Sequence, residues 1–353
     1  MSAIPSARLL DALQAEGILD DAACEAIAGD APMPWWLAVV QGFAAWVASL
    51  IILSSFFGPL LMAGNGPVTR AVGGVVLLAA AFLLFRRRRT FTDQMALAFS
   101  FAGQALLVSS VADRFLYMVQ GTDTLARTAL VVAAAMAAIP STTLHRTACV
   151  LTVLASIGYL IGPGDGLAVF GLALAVVALA LWLSRARWAP HPQAPLFKAA
   201  GHATTLAALC VAVYGSDTSG TPLLGELLRD RHLSFVLPIY RVGAAALFTG
   251  TVFWLSRDAG RLRVPLAVAG LLFAVVAHPA PGLLVSAAVL LAAFHASHRG
   301  WTVMALAFAA LYLGEYHYSL HSTLLIKSAV IAASGVVLLA ARAALLALSR
   351  SPR

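Results

Sequence analysis

Apolar and polar positions come in long blocks along this chain, and the polar blocks alternate in character, every second one being basic. The apolar blocks run from 15 to 23 residues, around the length of about 20 that an α-helix needs to cross a ~30 Å hydrocarbon layer at ~1.5 Å per residue. The blocks predict twelve helical spans, at 36-58, 68-85, 94-114, 125-139, 147-161, 167-184, 197-214, 235-255, 264-278, 282-297, 301-318 and 321-342. Trp35 and Trp36 stand at the start of the first, where amphipathic rings settle at headgroup level. The connections between the basic ones include Gly64-Asn65-Gly66-Pro67, Gly162-Pro163-Gly164-Asp165-Gly166 and His278-Pro279-Ala280-Pro281-Gly282, which predict tight hairpin turns. The fold class expected from this pattern is all-α: a polytopic helical membrane bundle of about 12 transmembrane helices.

The basic blocks orient the bundle. Short loops rich in Lys and Arg are retained on the cytoplasmic side of a bacterial membrane, and the strongest such signal is Arg86-Arg87-Arg88-Arg89 between the second and third spans. It places that loop, and with it both termini, in the cytoplasm. Later connections agree: Arg146, then Arg185, Arg187 and Lys198, then Arg257, Arg261 and Arg263, then Arg299, and finally Arg342, Arg350 and Arg353 fall on the same side. With Arg8 they make 16 of the 23 Lys and Arg residues. The expected division is a small cytosolic helical hairpin at 1-34, a transmembrane helical domain at 35-348 and a cytosolic tail at 349-353. In the hairpin Leu9, Leu10 and Leu13 form an apolar stripe, Gly17 supplies a break, and Ile18, Leu19, Cys24 and Ile27 follow. Its Asp11, Glu16, Asp20, Asp21, Glu25 and Asp30 against a single Arg8 are the reverse of a secretory signal, so the first span is expected to be an uncleaved anchor.

Composition confirms the class without adding a reaction. At 61% apolar and 11% charged, against about 45–50% and about 25% for a soluble domain, there are too few polar groups to coat a water-facing surface. The net charge of +8 is dispersed over short loops with no aromatic interleaving, which argues against nucleic acid and for the anionic headgroups of the lipid bilayer as counterpart. Cys24, Cys149 and Cys210 fall at separate depths and cannot build a disulfide framework. No P-loop, Gly-x-Ser-x-Gly, His-Glu-x-x-His or Cys-x-x-Cys occurs, so neither an enzyme, a cofactor nor a metal centre is expected. Gly66, Gly166 and Gly282 are 100 and 116 residues apart, consistent with three four-helix units; the inner segment with Pro190, Pro192 and Pro195 offers instead a division into two six-helix halves.

Seven cations fall away from the cytoplasmic side: Arg70, Arg114, Arg127, Arg229, Arg231, Arg241 and Lys327. Arg70 and Arg127 lie close enough to span ends to snorkel. Lys327, six residues into its span, sits about 9 Å below the boundary and calls for a partner. Glu315, near the outer end of the preceding span, is the nearest carboxylate, and a charged pair is much cheaper in hydrocarbon than either charge alone. The candidate polar site is therefore Glu315, Lys327, Arg241, Tyr316 and Tyr318, with Asp113 and Arg114 as a second charged pair at the outer end of the third span. Gln104 is expected to act as interhelical glue. Lys198, His202 and Thr205 share one face near the inner end of the seventh span and are expected to be a snorkelling helix start.

The segment Gly314-Glu315-Tyr316-His317-Tyr318-Ser319-Leu320, then Thr323-Leu324-Leu325-Ile326-Lys327-Ser328, then Gly335 and Arg342, resembles the closing hairpin of an uncharacterised bacterial family, domain of unknown function 4401, related to domain of unknown function 2157. The opening Pro34-Trp35-Trp36 through Gly42 and Trp46 is similar too. His317 departs from the family, which carries aromatics between the two tyrosines. The resemblance implies a multi-pass protein of the bacterial inner membrane, accompanied by neighbouring membrane proteins including a small protein with a Gly-Asp-Tyr signature. It supplies no substrate and no catalytic residue. The function expected is a transporter-like or ligand-binding bundle with an outward-facing polar site; the alternative is a non-catalytic assembly or regulatory subunit of a multi-protein complex.

Overall fold

Runs of Ala, Leu and Val with few breakers fold as helices, and tertiary packing decides where each ends. The computed structural model describes residues 14–17, 20, 35–59, 66–87, 89–112, 121–162, 164–214 and 238–319, with 328, 336, 339, 342 and 343 as single positions. Among the described residues the long helices are α1 (Trp35–Ile52), α2 (Pro67–Phe85), α3 (Thr90–Ala112), α4 (Gly121–Ala138), α5 (Thr143–Ile161), α6 (Asp165–Leu183), α7 (Ala194–Tyr214), α8 (Pro238–Leu255), α9 (Arg263–Val276), α10 (Pro281–His295) and α11 (Arg299–Ser319). They lie at the positions of the first eleven predicted spans. The twelfth falls outside the described residues except for Ser328, Val336, Leu339 and Arg342, each of them helical. Of the leader, Gly17 adopts φ 69°, a left-handed conformation that suits glycine, and its N–H bonds Gln14 O at 3.0 Å, as a break there requires.

Among the described residues, six helices, α2, α3, α5, α6, α7 and α8, are long and apolar enough to cross a membrane by length and composition. The 14 residues of α9 and 15 of α10 give lengths of only about 21 and 22 Å at ~1.5 Å per residue, short of a full hydrocarbon layer. Helix starts differ from the apolar blocks where a cap intervenes. Helix α5 begins at Thr143, not 147, because the Thr142 hydroxyl accepts the His145 N–H at 3.3 Å, so Arg146 belongs to the first turn of the helix rather than to the connection.

The chain forms two compact units, and α2 and α3 each contribute residues to both. In the first, residues 1–64 and 77–101, the Trp46 indole N–H donates to Gln94 Oε1 at 3.3 Å, pinning α1 to α3. The second unit, residues 65–76 and 102–353, is built around α10. That helix packs on α6, α7, α8 and α11, and its Leu284, Val285, Ala288, Val289 and Ala292 are fully buried. Leu174, Trp182, Ala208, Ala212, Phe248 and Ala274 complete the same core.

Small residues set the helix spacing. A Cβ on Gly282 of α10 would run into the Tyr312 ring of α11 and come within 2.7 Å of Ala212 O on α7. Gly74 meets the Gly103 carbonyl in the same way, at 2.9 Å. These approaches fit a bundle assembled in lipid, where close backbone packing rather than exclusion of water holds helices together. The large exposed side chains are apolar over the outer faces, among them Phe43, Val68, Val131, Val264, Leu272, Val276 and Leu311. Such a surface is stable against acyl chains and not against water.

Candidate functional site

Helix α11 passes between two polar layers, one near each of its ends. At the end away from the basic connections, α8 starts with Pro238, which needs no N–H partner there. Its first turn delivers Tyr240 and Arg241. Tyr240 is buried against Leu167, Leu172 and Val211, and Tyr312 of α11 is buried with Val213 and Ala280. The two phenols lie within electrostatic reach of one another. Arg241 is half-buried, and its Nε is shut off from solvent with no hydrogen-bond partner. Among the described residues only Ser286 Oγ shares that condition.

Of the predicted site residues, Arg241 is the one whose side chain the structure places. Glu315, Tyr316 and Tyr318 lie on the last turns of α11, one turn or more beyond Tyr312, with their side chains outside the description. Lys327, Asp113 and Arg114 fall outside the described residues, so the expected Glu315–Lys327 pair does too.

The opposite end carries a cluster that the hydropathy pattern does not reveal. Trp182 at the end of α6 donates its indole N–H to Thr205 Oγ1 on α7 at 2.8 Å, and Thr205 passes its own proton to Gly201 O at 2.6 Å. Trp182, His202 and His298 meet edge to face, with centroids 5.3 to 5.4 Å apart. Trp301 stacks on His202 and donates its indole N–H to His202 Nδ1, while its backbone N–H donates to His298 Nδ1 at 3.3 Å. Both imidazoles therefore accept at Nδ1, which leaves the proton of each neutral ring on Nε2. Arg185 Nη1 donates to Ala296 O at 3.1 Å, tying the α6–α7 connection to the α10–α11 connection. Nearby, the Arg257 guanidinium lies 4.1 Å over the Trp254 ring, whose edge meets His295.

This corrects one expectation. His202 and Thr205 are not a snorkelling helix start: Thr205 is fully buried and His202 is locked between two indoles and a second imidazole. The physical reason is that their partners sit on α6 and at the start of α11, too far along the chain for any local pattern to bring them together. Chemically the cluster is a lock for helix ends, joining α6, α7 and the start of α11 through ring contacts and indole N–H bonds.

A third polar group lies within α3 and α5. Ser141 Oγ is 2.8 Å from His145 Nδ1, His145 Nε2 is 3.6 Å from Cys149 Sγ, and the Gln104 amide N–H donates to that sulfur at 3.7 Å. His145 and Cys149 are 0% and 1% exposed. Gln104 thus links α3 to α5. The i, i+4 spacing of His145 and Cys149 was visible in the sequence, but their meeting with Gln104 was not.

No curated protein and no solved structure matches the chain. The model of the family Domain of unknown function (DUF4401) matches residues 34–348, nearly the whole chain, from the tryptophans that open α1 to beyond Arg342. The chain belongs to the DUF4401 family.

Proposed function

We propose that this protein is a twelve-span bundle of the bacterial inner membrane, with both termini in the cytoplasm, that binds or carries a small solute at a polar site open to the outer face. The site comprises Arg241, Tyr240 and Tyr312 together with Glu315 and Lys327, and Tyr316, Tyr318, Asp113 and Arg114 around it. The observation that carries the reading is Arg241, a cation at the start of a membrane helix whose Nε is buried and lacks a hydrogen-bond partner. A guanidinium N–H held out of water without an acceptor is costly, and an acceptor group on a bound solute would relieve that cost. Two cations against one carboxylate favour a solute with an anionic group.

The alternation of basic connections supports the orientation. Reporter fusions after Arg89 and within the 215-234 loop are expected to report cytoplasm and periplasm respectively; the reverse result, or an odd number of crossings, ends this reading. For the site itself, Arg241→Met, Lys327→Met and Glu315→Gln, each at wild-type protein level, are expected to alter uptake, efflux or stress tolerance of the cell in the manner of a deletion. If all three leave those phenotypes untouched, the outward site is wrong. An assembly subunit would then be the better description, to be tested by native co-purification.

A further inference from the structure

The connection between α8 and α9 carries an ordered cationic surface that the outward site does not use. We propose that it binds one phospholipid with two phosphate groups, of the diphosphatidylglycerol class, its headgroup on Arg257, Arg261 and Arg263 and its acyl chains against the outer flank of α9. The inference requires a bilayer around α8 and α9, but neither the solute site nor either orientation of the bundle.

The backbone of the connection is fixed. Residues 256–262 form two 3₁₀ turns, Ser256–Asp258 and Gly260–Leu262, joined at Ala259. The Ala259 N–H donates to Ser256 O at 3.0 Å, the Leu262 N–H donates to Ala259 O at 3.1 Å, and the buried Ser256 hydroxyl donates to Phe253 O at 3.1 Å. Gly260, at φ 54°, takes a left-handed step in the turn. Two of the three arginines are held at the side chain as well. The Arg257 guanidinium lies 4.1 Å over Trp254 and that of Arg263 lies 4.8 Å over Phe253, within the ~6 Å at which a ring face attracts a cation. The two rings are consecutive on the last turn of α8, so both charges are placed at one helix end. A guanidinium already stacked loses less freedom on meeting a phosphate, which it can hold through two parallel N–H bonds.

Charge and shape then select the ligand. Asp258 pairs with Arg257 Nε at 3.4 Å, and among the described residues no carboxylate meets Arg261 or Arg263. Three guanidiniums less one carboxylate leave two positive charges, which two phosphodiesters neutralise. Other cations near helix ends are committed within the protein: Arg146 Nε donates to Ile139 O at 3.2 Å, and Arg185 to Ala296 O. Arg257, Arg261 and Arg263 are exposed instead. Beside them α9 packs on α8 through Gly270, whose Cβ position meets Val252, and turns Val264, Val268, Leu271, Leu272, Val275 and Val276 outward, each half or more exposed. A cationic end continuous with an apolar flank is the surface of a lipid site, in which headgroup and chains are recognised together. A second copy meeting this face by two-fold symmetry would set like charges against each other.

The test uses full-length protein in detergent, stripped of lipid and titrated with diphosphatidylglycerol, phosphatidylglycerol or phosphatidylcholine under native mass spectrometry. Wild type is expected to retain one diphosphatidylglycerol per chain, about 5-fold or more tighter than phosphatidylglycerol because of the second phosphate, and no phosphatidylcholine. Arg261→Gln/Arg263→Gln is expected to weaken retention about 25-fold, or about 5-fold for each arginine removed. Trp254→Leu, which keeps every charge, is expected to weaken it about 2- to 5-fold through loss of the ring under Arg257. Arg86→Gln/Arg87→Gln, the same loss of charge on another connection, should leave it unchanged, and an excess of inorganic phosphate should not displace the lipid. Melting of each lipid-free variant at the wild-type temperature separates loss of the site from loss of the fold. No lipid retained by wild type, equal retention of phosphatidylglycerol, full retention in Arg261→Gln/Arg263→Gln, or equal loss in Arg86→Gln/Arg87→Gln would each overturn the proposal. Displacement by inorganic phosphate would overturn it too, by making this a site for a soluble anion.

Discussion

At the scale of single residues, the bundle depends on places where a side chain is missing. Gly282 is the sharpest case, because its Cα faces both the Tyr312 ring and the Ala212 carbonyl. Gly282→Ala forces α10 away from α7 and α11, and overpacking of this kind costs about 1–3 kcal/mol. Gly250 on α8 has nothing within 4 Å of its Cβ position. Gly250→Ala is therefore expected to leave stability unchanged or raise it by up to about 1 kcal/mol, since alanine loses less backbone entropy in a helix. Thermal melts of the two variants in the same detergent check the contrast, and equal melting temperatures would mean that α10 is not packed as described. The disturbance would also reach Tyr312 and so the phenol layer near Arg241.

At the scale of elements, α5 is where capping and chemistry meet. Thr142→Ala removes the hydroxyl that accepts the His145 N–H, at a cost of about 1 kcal/mol, and frays the turn that carries His145. Faster amide hydrogen exchange confined to residues 143–146 is the expected signature; unchanged exchange there would assign the helix start to packing alone. Helix positions were legible because an apolar block of membrane length admits one backbone solution, with every N–H and C=O bonded inside the segment. Helix ends were less so. Thr142 reads as one more polar residue in a loop until its φ/ψ place it as a cap, whereas the ends of α9 and α10 agree with their apolar blocks to within two residues. The polar groups split along the same line. His145 and Cys149 share one helix and could be found by spacing, while Trp182, His202 and the His298–Trp301 segment come from three places in the chain and meet only through the packing of α6, α7 and α11. Aromatics at helix ends pass for interfacial rings whether they face lipid or one another, so their pattern alone does not separate the two.

At the scale of the whole molecule, the asymmetry of charge makes a claim about the surrounding lipid. If the basic connections share the cytoplasmic surface, 16 of 23 Lys and Arg residues stand at one headgroup layer. Exposed members of that set, such as Arg86, Arg187, Arg257 and Arg263, already lie beside helix ends, and Arg257 and Arg263 rest on the Trp254 and Phe253 rings. An anionic headgroup adds attraction of about 1 kcal/mol per nearby cation, reduced by salt over a Debye length of ~10 Å at 0.1 M. The protein in nanodiscs of phosphatidylglycerol should therefore melt at a higher temperature than in nanodiscs of phosphatidylcholine, and the gap should narrow as salt rises from about 0.05 to about 0.5 M. Arg86→Gln/Arg87→Gln/Arg89→Gln should narrow it too, because these residues belong to the densest basic connection. The same triple change should leave the phosphatidylcholine melt unaltered, since exposed arginines contribute little to packing. A gap that survives both high salt and the triple change would have to come from acyl-chain fit rather than charge, and the cations would then serve orientation alone.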